Sequence, residues 1–322
     1  MSIEDQAEPI ALVRRIGVVE SVHCGHVVGL DATGTVVWRR GDPDVTVLPR
    51  STLKPVQAVA MLAAGLDLDG ELLALACSSH SGEPGHLDGV RRLLARAGLD
   101  EAALQNTPGL PLDAAAALAW QKAGNGPARI AQNCSGKHAA MLATCVSAGW
   151  DPAAYRSPTH PLQRAIRECV ADLTGGPPEH VGVDGCGAPL YSCTLSGLAR
   201  AFATIARAAP GTPHARVAAA VRAHPWWLGG SGRAVTRLVE GVPGLVAKDG
   251  AEGVFAAALR DGSALAVKVL DGAARPVPVV VCDVLRRLGV DAPVLDVVGR
   301  VDVLGHGAPV GAVEPAPPSP SP

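Results

Sequence analysis

The chain has 322 residues, 18% of them charged, and a formal net charge of −2. There is no excess of Lys and Arg to neutralise phosphates, and only 3% of residues are aromatic, which excludes a nucleic-acid surface. Every long apolar stretch is broken by Gly, Pro or charge short of a membrane span, and the acidic start Met1-Ser2-Ile3-Glu4-Asp5 lacks the layout of a secretory signal, so a cytoplasmic protein without membrane contact is expected.

Residues 1–10 read as frayed. Leu12–Ser21, Gly25–Asp31 and Thr35–Arg40 are short β-rich runs separated by turn residues, the pattern of an antiparallel meander. Asp42-Pro43 and Pro49 break regularity ahead of an alanine-rich helix that Ser51 is placed to cap. Glu71–Cys77 is a brief apolar run, and Gly85–Gly98 has helical periodicity with arginines on the outer face. The middle is mainly helix: Ala114–Lys122, Lys137–Ala148, Leu162–Leu173, Leu195–Ala208 and Ala215–Ala223. Strand character returns in Gly244–Lys248, Gly253–Leu259 and Ala264–Val269, separated by Asp-Gly turns, before a helix over Val277–Leu288. The Pro/Ser/Ala tail at 314–322 is expected to be disordered.

This order predicts an α/β (α+β) sandwich. One antiparallel sheet, from about 12–48 and 241–290, is flanked by helices, with a mainly helical lobe over about 99–240. The whole makes a single two-lobed catalytic domain spanning 1–322.

Four clusters place polar residues inside apolar surroundings. In Ser51-Thr52-Leu53-Lys54, a hydroxyl and an amine three residues apart share a helix face, and a desolvated lysine near another cation can serve as a base. The pattern is short and chance supplies it often; a capped, solvated helix start is the plain alternative. Cys77-Ser78-Ser79-His80-Ser81-Gly82-Glu83 is dense in hydroxyls, though such a turn also serves simply to cap the next helix. Asn133-Cys134-Ser135-Gly136-Lys137-His138 opens a helix whose N-terminus can bind an anion. In Asp184-Gly185-Cys186, Asp184 is either a turn former or a partner for a ligand ammonium. Lys248 ends a strand, where a lysine is usually a solvated charge, and Lys268 is a competing, structural strand lysine. Of the eight cysteines, Cys145, Cys169 and Cys282 lie in apolar helical runs as small buried hydrophobes, and no C-x-x-C pair occurs.

Together these segments, with Val246-Ala247-Lys248, resemble the Rhizobium-type (class 3) L-asparaginase II family over about residues 14–290. The resemblance implies a serine β-lactamase/glutaminase-like fold, a homodimer, and hydrolysis of L-asparagine to L-aspartate and ammonia. It pairs Ser51 with Lys54 and Ser79 with Lys248 as catalytic groups, and puts a zinc ion on Cys134, Lys137 and Cys186. Asp184 would then meet the substrate ammonium, and Arg50 and His138 its α-carboxylate. Which Ser–Lys pair supplies the nucleophile stays open, as does the preference between asparagine and glutamine. Two other classes compete. One is a penicillin-interactive serine enzyme, against which stands Lys248-Asp249-Gly250 without the hydroxyl of K-[ST]-G. The other is a non-catalytic amino-acid- or zinc-binding relative.

Overall fold

The computed structural model describes residues 3–317. A seven-strand path forms the main sheet. Its N-terminal strands are β1 (Glu8–Arg15), β2 (Val18–Leu30) and β3 (Val36–Arg40). A short β4 (Thr46–Val47) follows, and then a 3₁₀ turn over Arg50–Leu53 that runs into α1 (Lys54–Ala63). The helical part continues with α2 (Gly70–Ala76), α3 (Pro84–Arg96), α4 (Ala114–Lys122), α5 (Ser135–Ala148) and α6 (Pro161–Thr174). Short strands β5 (Val181–Val183), β6 (Pro189–Tyr191) and β7 (Cys193–Thr194) lead to α7 (Leu195–Ala206), α8 (Pro213–Ala223), α9 (Pro225–Leu228) and α10 (Ala234–Gly241). The chain then returns through β8 (Val246–Asp249), β9 (Val254–Ala258) and β10 (Ala264–Val269), α11 (Val277–Arg287) and α12 (Val294–Val298), and ends in β11 (Val301–Gly305) and β12 (Ala308–Pro315).

The strand order is β11-β12-β1-β2-β10-β9-β8, antiparallel throughout, with β3 also paired to β2. The expected mixed α/β architecture, an antiparallel sheet with helices and a helical lobe, is therefore present. Distant strands meet as expected: Val27 of β2 lies opposite Val267 of β10. Helix α7 covers one part of the sheet, against β2, β9 and β10, and α11 packs on β10, β1 and β12. Thr194 caps α7 by accepting from Gly197 N–H, which satisfies one of the unpaired donors of the first turn. Burying the Leu198, Phe202 and Ile205 side chains of α7 stabilises the layer by about 1.5–3 kcal/mol each.

Three expectations need correction. The run Leu12–Ser21 is two strands, because Ile16 and Gly17 both take positive φ (47° and 84°) and turn the chain back in a tight hairpin. The frayed start is ordered from Glu8 into β1, whose other edge pairs with β12 (Leu12 opposite Glu314). Glu314 and Pro315 thus belong to a strand rather than a disordered tail, Ala316 is buried, and residues 318–322 lie outside the described part.

Candidate active site

Helix α1 is buried nearly all round, packed on α5, α6 and α8, and its first residue is Lys54. Ser51 is not its cap. It sits in the preceding 3₁₀ turn, and α1 starts without a side-chain cap. Only 1% of Lys54 is exposed, and its amine donates to Ser78 O, to Ser79 Oγ at 3.0 Å and to Cys134 Sγ at 3.1 Å. Those three bonds use every donor of an ammonium group. The expected Ser51–Lys54 bond is therefore not the one formed, and the Ser51 hydroxyl makes no hydrogen bond among the described residues. Arg50, just before it, holds φ +54°, a left-handed conformation that costs a non-glycine residue about 1–3 kcal/mol.

Ser79 follows α2 on a turn fastened along its backbone. Ser79 N–H donates to Leu228 O, His80 N–H to Asn133 O and Ser81 N–H to Gly229 O. The fully buried His80 adds a side-chain tie. Its Nδ1 accepts from Gly82 N–H, so Nε2 carries the proton and donates to Ser135 Oγ at 2.8 Å, which itself donates to Ile130 O. Burial, with the charges of His86 and Lys54, holds the His80 pKa well below its usual value and so keeps this neutral tautomer. The turn does more than cap the next helix: Glu83 makes no cap bond and instead accepts from Ser231 N–H and Oγ, at 2.7 Å each.

Cys134 and Lys137 come from the start of α5. This end can approach α2 because residue 136 is glycine: a Cβ there would fall 2.5 Å from Leu75 O. Cys186 and Asp184 come from the turn between β5 and β6, closed by Asp184 N–H donating to Ala188 O. The Lys137 amine donates to Cys186 Sγ at 3.2 Å. A hydrogen bond from Cys186 and the nearby Lys54 and Lys137 charges lower the Cys134 pKa despite burial, whereas the Cys134 contact and burial raise that of Cys186. Of the two sulfurs, Cys134 is thus the one whose surroundings favour the charged form. Burial alone would lower the Lys137 pKa, but the two sulfurs outweigh it and raise it.

Two soft sulfur donors, with the Lys137 amine on one of them, fit a zinc ion by chemistry, once Lys137 and the thiols give up their protons. Among the described residues there is no group of three or more His, Cys, Asp and Glu placed to hold a metal, so a zinc ion here would need the lysine as a ligand.

Lys248 is the penultimate residue of β8 and is fully buried, but its amine binds Asp249, through both the backbone O and the carboxylate, rather than Ser79. Burial lowers its pKa to about 8; Asp249 opposes this, and the nearby Lys54 charge adds to it. The Asp249 carboxylate is shared with Arg233. Arg50 and Asp184, expected to meet opposite ends of a substrate, instead pair with each other at 2.7 Å. Burial would raise the Asp184 pKa, yet Lys137 and Arg50 bring it below the usual range. Arg50 also lines a cavity of about 520 Å³ with Leu48, Glu252 and Lys268. His138 is completely buried. Its Nδ1 lies 2.6 Å from Tyr155 OH, its Nε2 has no partner among the described residues, and burial with the neighbouring Lys137 charge lowers its pKa well below the usual value. A neutral, buried imidazole of this kind carries no charge for a carboxylate.

The structure therefore gathers Lys54, Ser79, Cys134, Lys137, Asp184 and Cys186 into one contact network, which Arg50 joins from the rim. Sequence spacing missed the roles of Asp249, Arg233 and His80. The one available signal was an acid directly after a strand lysine.

The sequence profile of the L-asparaginase II family matches residues 11–315, and the chain belongs to that family. Its members' chemistry makes this a hydrolase acting on amides. No curated protein matches the chain. Solved structures similar to it include a β-lactamase (Mb2281c) from Mycobacterium bovis, at 17% identity and a TM-score of 0.46, covering 82% of this chain and 95% of that one. Another is Mglu in its native form, at 14% identity and a TM-score of 0.42, with 76% of this chain covered and only 58% of that one. A third is EstCE1, a hydrolase with promiscuous acyltransferase activity, at 14% identity and a TM-score of 0.39, covering 86% and 92%. No helix among the described residues is long and apolar enough to cross a membrane.

Proposed function

We propose that the protein is an L-asparaginase that works by serine acylation, with Ser79 as nucleophile and Lys54 as its base. The observation that carries this reading is the contact of 3.0 Å between the Lys54 amine and the Ser79 hydroxyl in a buried setting. Once Lys54 has given up one of the three protons it donates, the Ser79 proton moves to Nζ as Oγ attacks the side-chain amide carbon of asparagine. Lys54 then returns that proton to the amide nitrogen, the C–N bond breaks and ammonia leaves. Water, deprotonated by the same amine, resolves the acyl-enzyme to aspartate. The Ser51 N–H belongs to the unpaired donors at the start of a short helix and is suited to the tetrahedral oxyanion. The Ser51 hydroxyl, without a hydrogen-bond partner among the described residues, serves as a second proton carrier. Lys248, held on Asp249, bears on the pair through its charge, which a pKa of about 8 lets it lose just above neutral pH.

The substrate enters as a zwitterion, and the Arg50–Asp184 pair offers a charge to each end: Asp184 to the ammonium, Arg50 to the α-carboxylate. Cys134, Cys186 and Lys137 would hold zinc, which when bound supplies a fixed positive charge. The homodimer and the cytoplasm belong to the same proposal; exposed Val18, Val19 and Val22 on β2 support self-association through the outer sheet. Ammonia release from L-asparagine and L-glutamine tests the reading. We expect turnover of asparagine with glutamine slower, and no ammonia from either would refute it.

A further inference from the structure

A second cavity, of about 700 Å³, lies outside the network described above, between the start of α2, the loop before α8, α8 itself and the β9–β10 turn. One wall is an alanine face of α8, with Ala215, Ala219 and Ala223. Two guanidinium groups converge on Gly244 beside it. Arg222 Nε donates to Gly244 O at 2.9 Å, and the Arg260 side chain lies so close over Gly244 that a Cβ there would sit 3.4 Å from its Nε. Arg222 spends a further donor on Ala206 O at 2.7 Å, at the end of α7. Among the described residues neither arginine has a carboxylate partner. Arg216, on the same cavity, differs, because it holds both Asp67 and Asp69.

Two guanidinium groups facing one space repel unless an anion joins them, and a guanidinium fork suits oxyanions in particular. A single carboxylate would balance only one of the two; a phosphate dianion balances both. Burial and the Arg260 charge also push the Arg222 pKa down, as for a cation lacking its counter-charge. The alanine wall, short of polar atoms, suits an apolar or planar body.

We propose that this cavity binds a small phosphate-bearing metabolite, with its phosphate between Arg222 and Arg260 and its apolar part along the alanine face of α8. The proposal is independent of the asparaginase reading.

Calorimetric titration of the full chain with inorganic pyrophosphate tests it. One saturable site is expected. Arg260→Ala should weaken binding at least ~10-fold, as expected for loss of one charged oxyanion contact. Ala219→Glu, which puts a carboxylate into the cavity, should abolish it. Both positions are exposed, so both variants should fold. Ser79→Ala should bind pyrophosphate as wild type does. No saturable binding, binding that both cavity variants leave unchanged, or binding that Ser79→Ala removes would each overturn the proposal.

Discussion

The Lys54 amine lies 3.0 Å from the hydroxyl of Ser79, a residue 25 positions further along the chain and on a different element. The serine nearer in sequence, Ser51, is not the bonded partner. Packing of α1 against the turn that follows α2 sets this choice, because that turn is fixed by backbone bonds to Leu228, Asn133 and Gly229.

Replacing Lys54 by methionine keeps the volume and removes the base. We expect kcat to fall by about 10²–10⁴-fold, the usual worth of a positioned general base, with the circular dichroism spectrum retained. Steady-state ammonia release checks it, and near-normal turnover would count against Lys54 as base.

The pH dependence should carry the signature of Lys248. Its folded pKa of about 8 lies below the ordinary 10.5, so between these values the unfolded chain binds more protons and stability rises with pH across that window. Below about 8 the group is protonated in both states and adds no further slope. If the neutral amine is the working form, kcat/KM should climb with an apparent pKa near 8. Lys248→Met should flatten both the activity limb and the denaturation slope from about 8 to 10.5; profiles that match wild type would remove Lys248 from the pH dependence.

Metal content tests the sulfur pair. Cys134→Ser should lower the zinc recovered by elemental analysis after gentle purification and raise KM more than it lowers kcat. A wild type that binds no zinc when supplied with it would end the zinc assignment.

Asp184→Asn should remove the negative charge that faces Arg50 at 2.7 Å, just ahead of Ser51, in a backbone conformation that needs support. We expect KM for asparagine to rise by about 10-fold, a loss typical of one charged hydrogen bond, with a smaller change in kcat. An unchanged KM would argue against a substrate role for the Arg50–Asp184 pair.

Much of the scaffold was legible because its signals are local. Ala114–Lys122 and Ala264–Val269 coincide with the observed helix and strand, where an Asp cap in one case and Gly turns in the other mark the ends. The C-terminal hairpin was not legible. Its turn uses His306 and Gly307 at positive φ rather than an Asn-Gly pair, and its strand β12 contains Pro309 and Pro315. At the site, sequence grouped the right residues but not their partners. The i, i+3 spacing favours Ser51 with Lys54, yet a 3₁₀ turn ends between them and the long lysine side chain reaches across to Ser79. Lys248 looked like a second base for Ser79. Only the fold shows that its own neighbour, Asp249, holds the amine. Likewise no spacing could tell that Arg50 and Asp184 meet, 134 residues apart.

The most direct measurement compares ammonia release from L-asparagine by wild type, Ser79→Ala and Ser51→Ala. With Ser79 as nucleophile, Ser79→Ala should lose essentially all turnover, about 10³-fold or more, while Ser51→Ala keeps a measurable fraction. Substantial turnover by Ser79→Ala, with none by Ser51→Ala, would contradict it and return the nucleophile to Ser51.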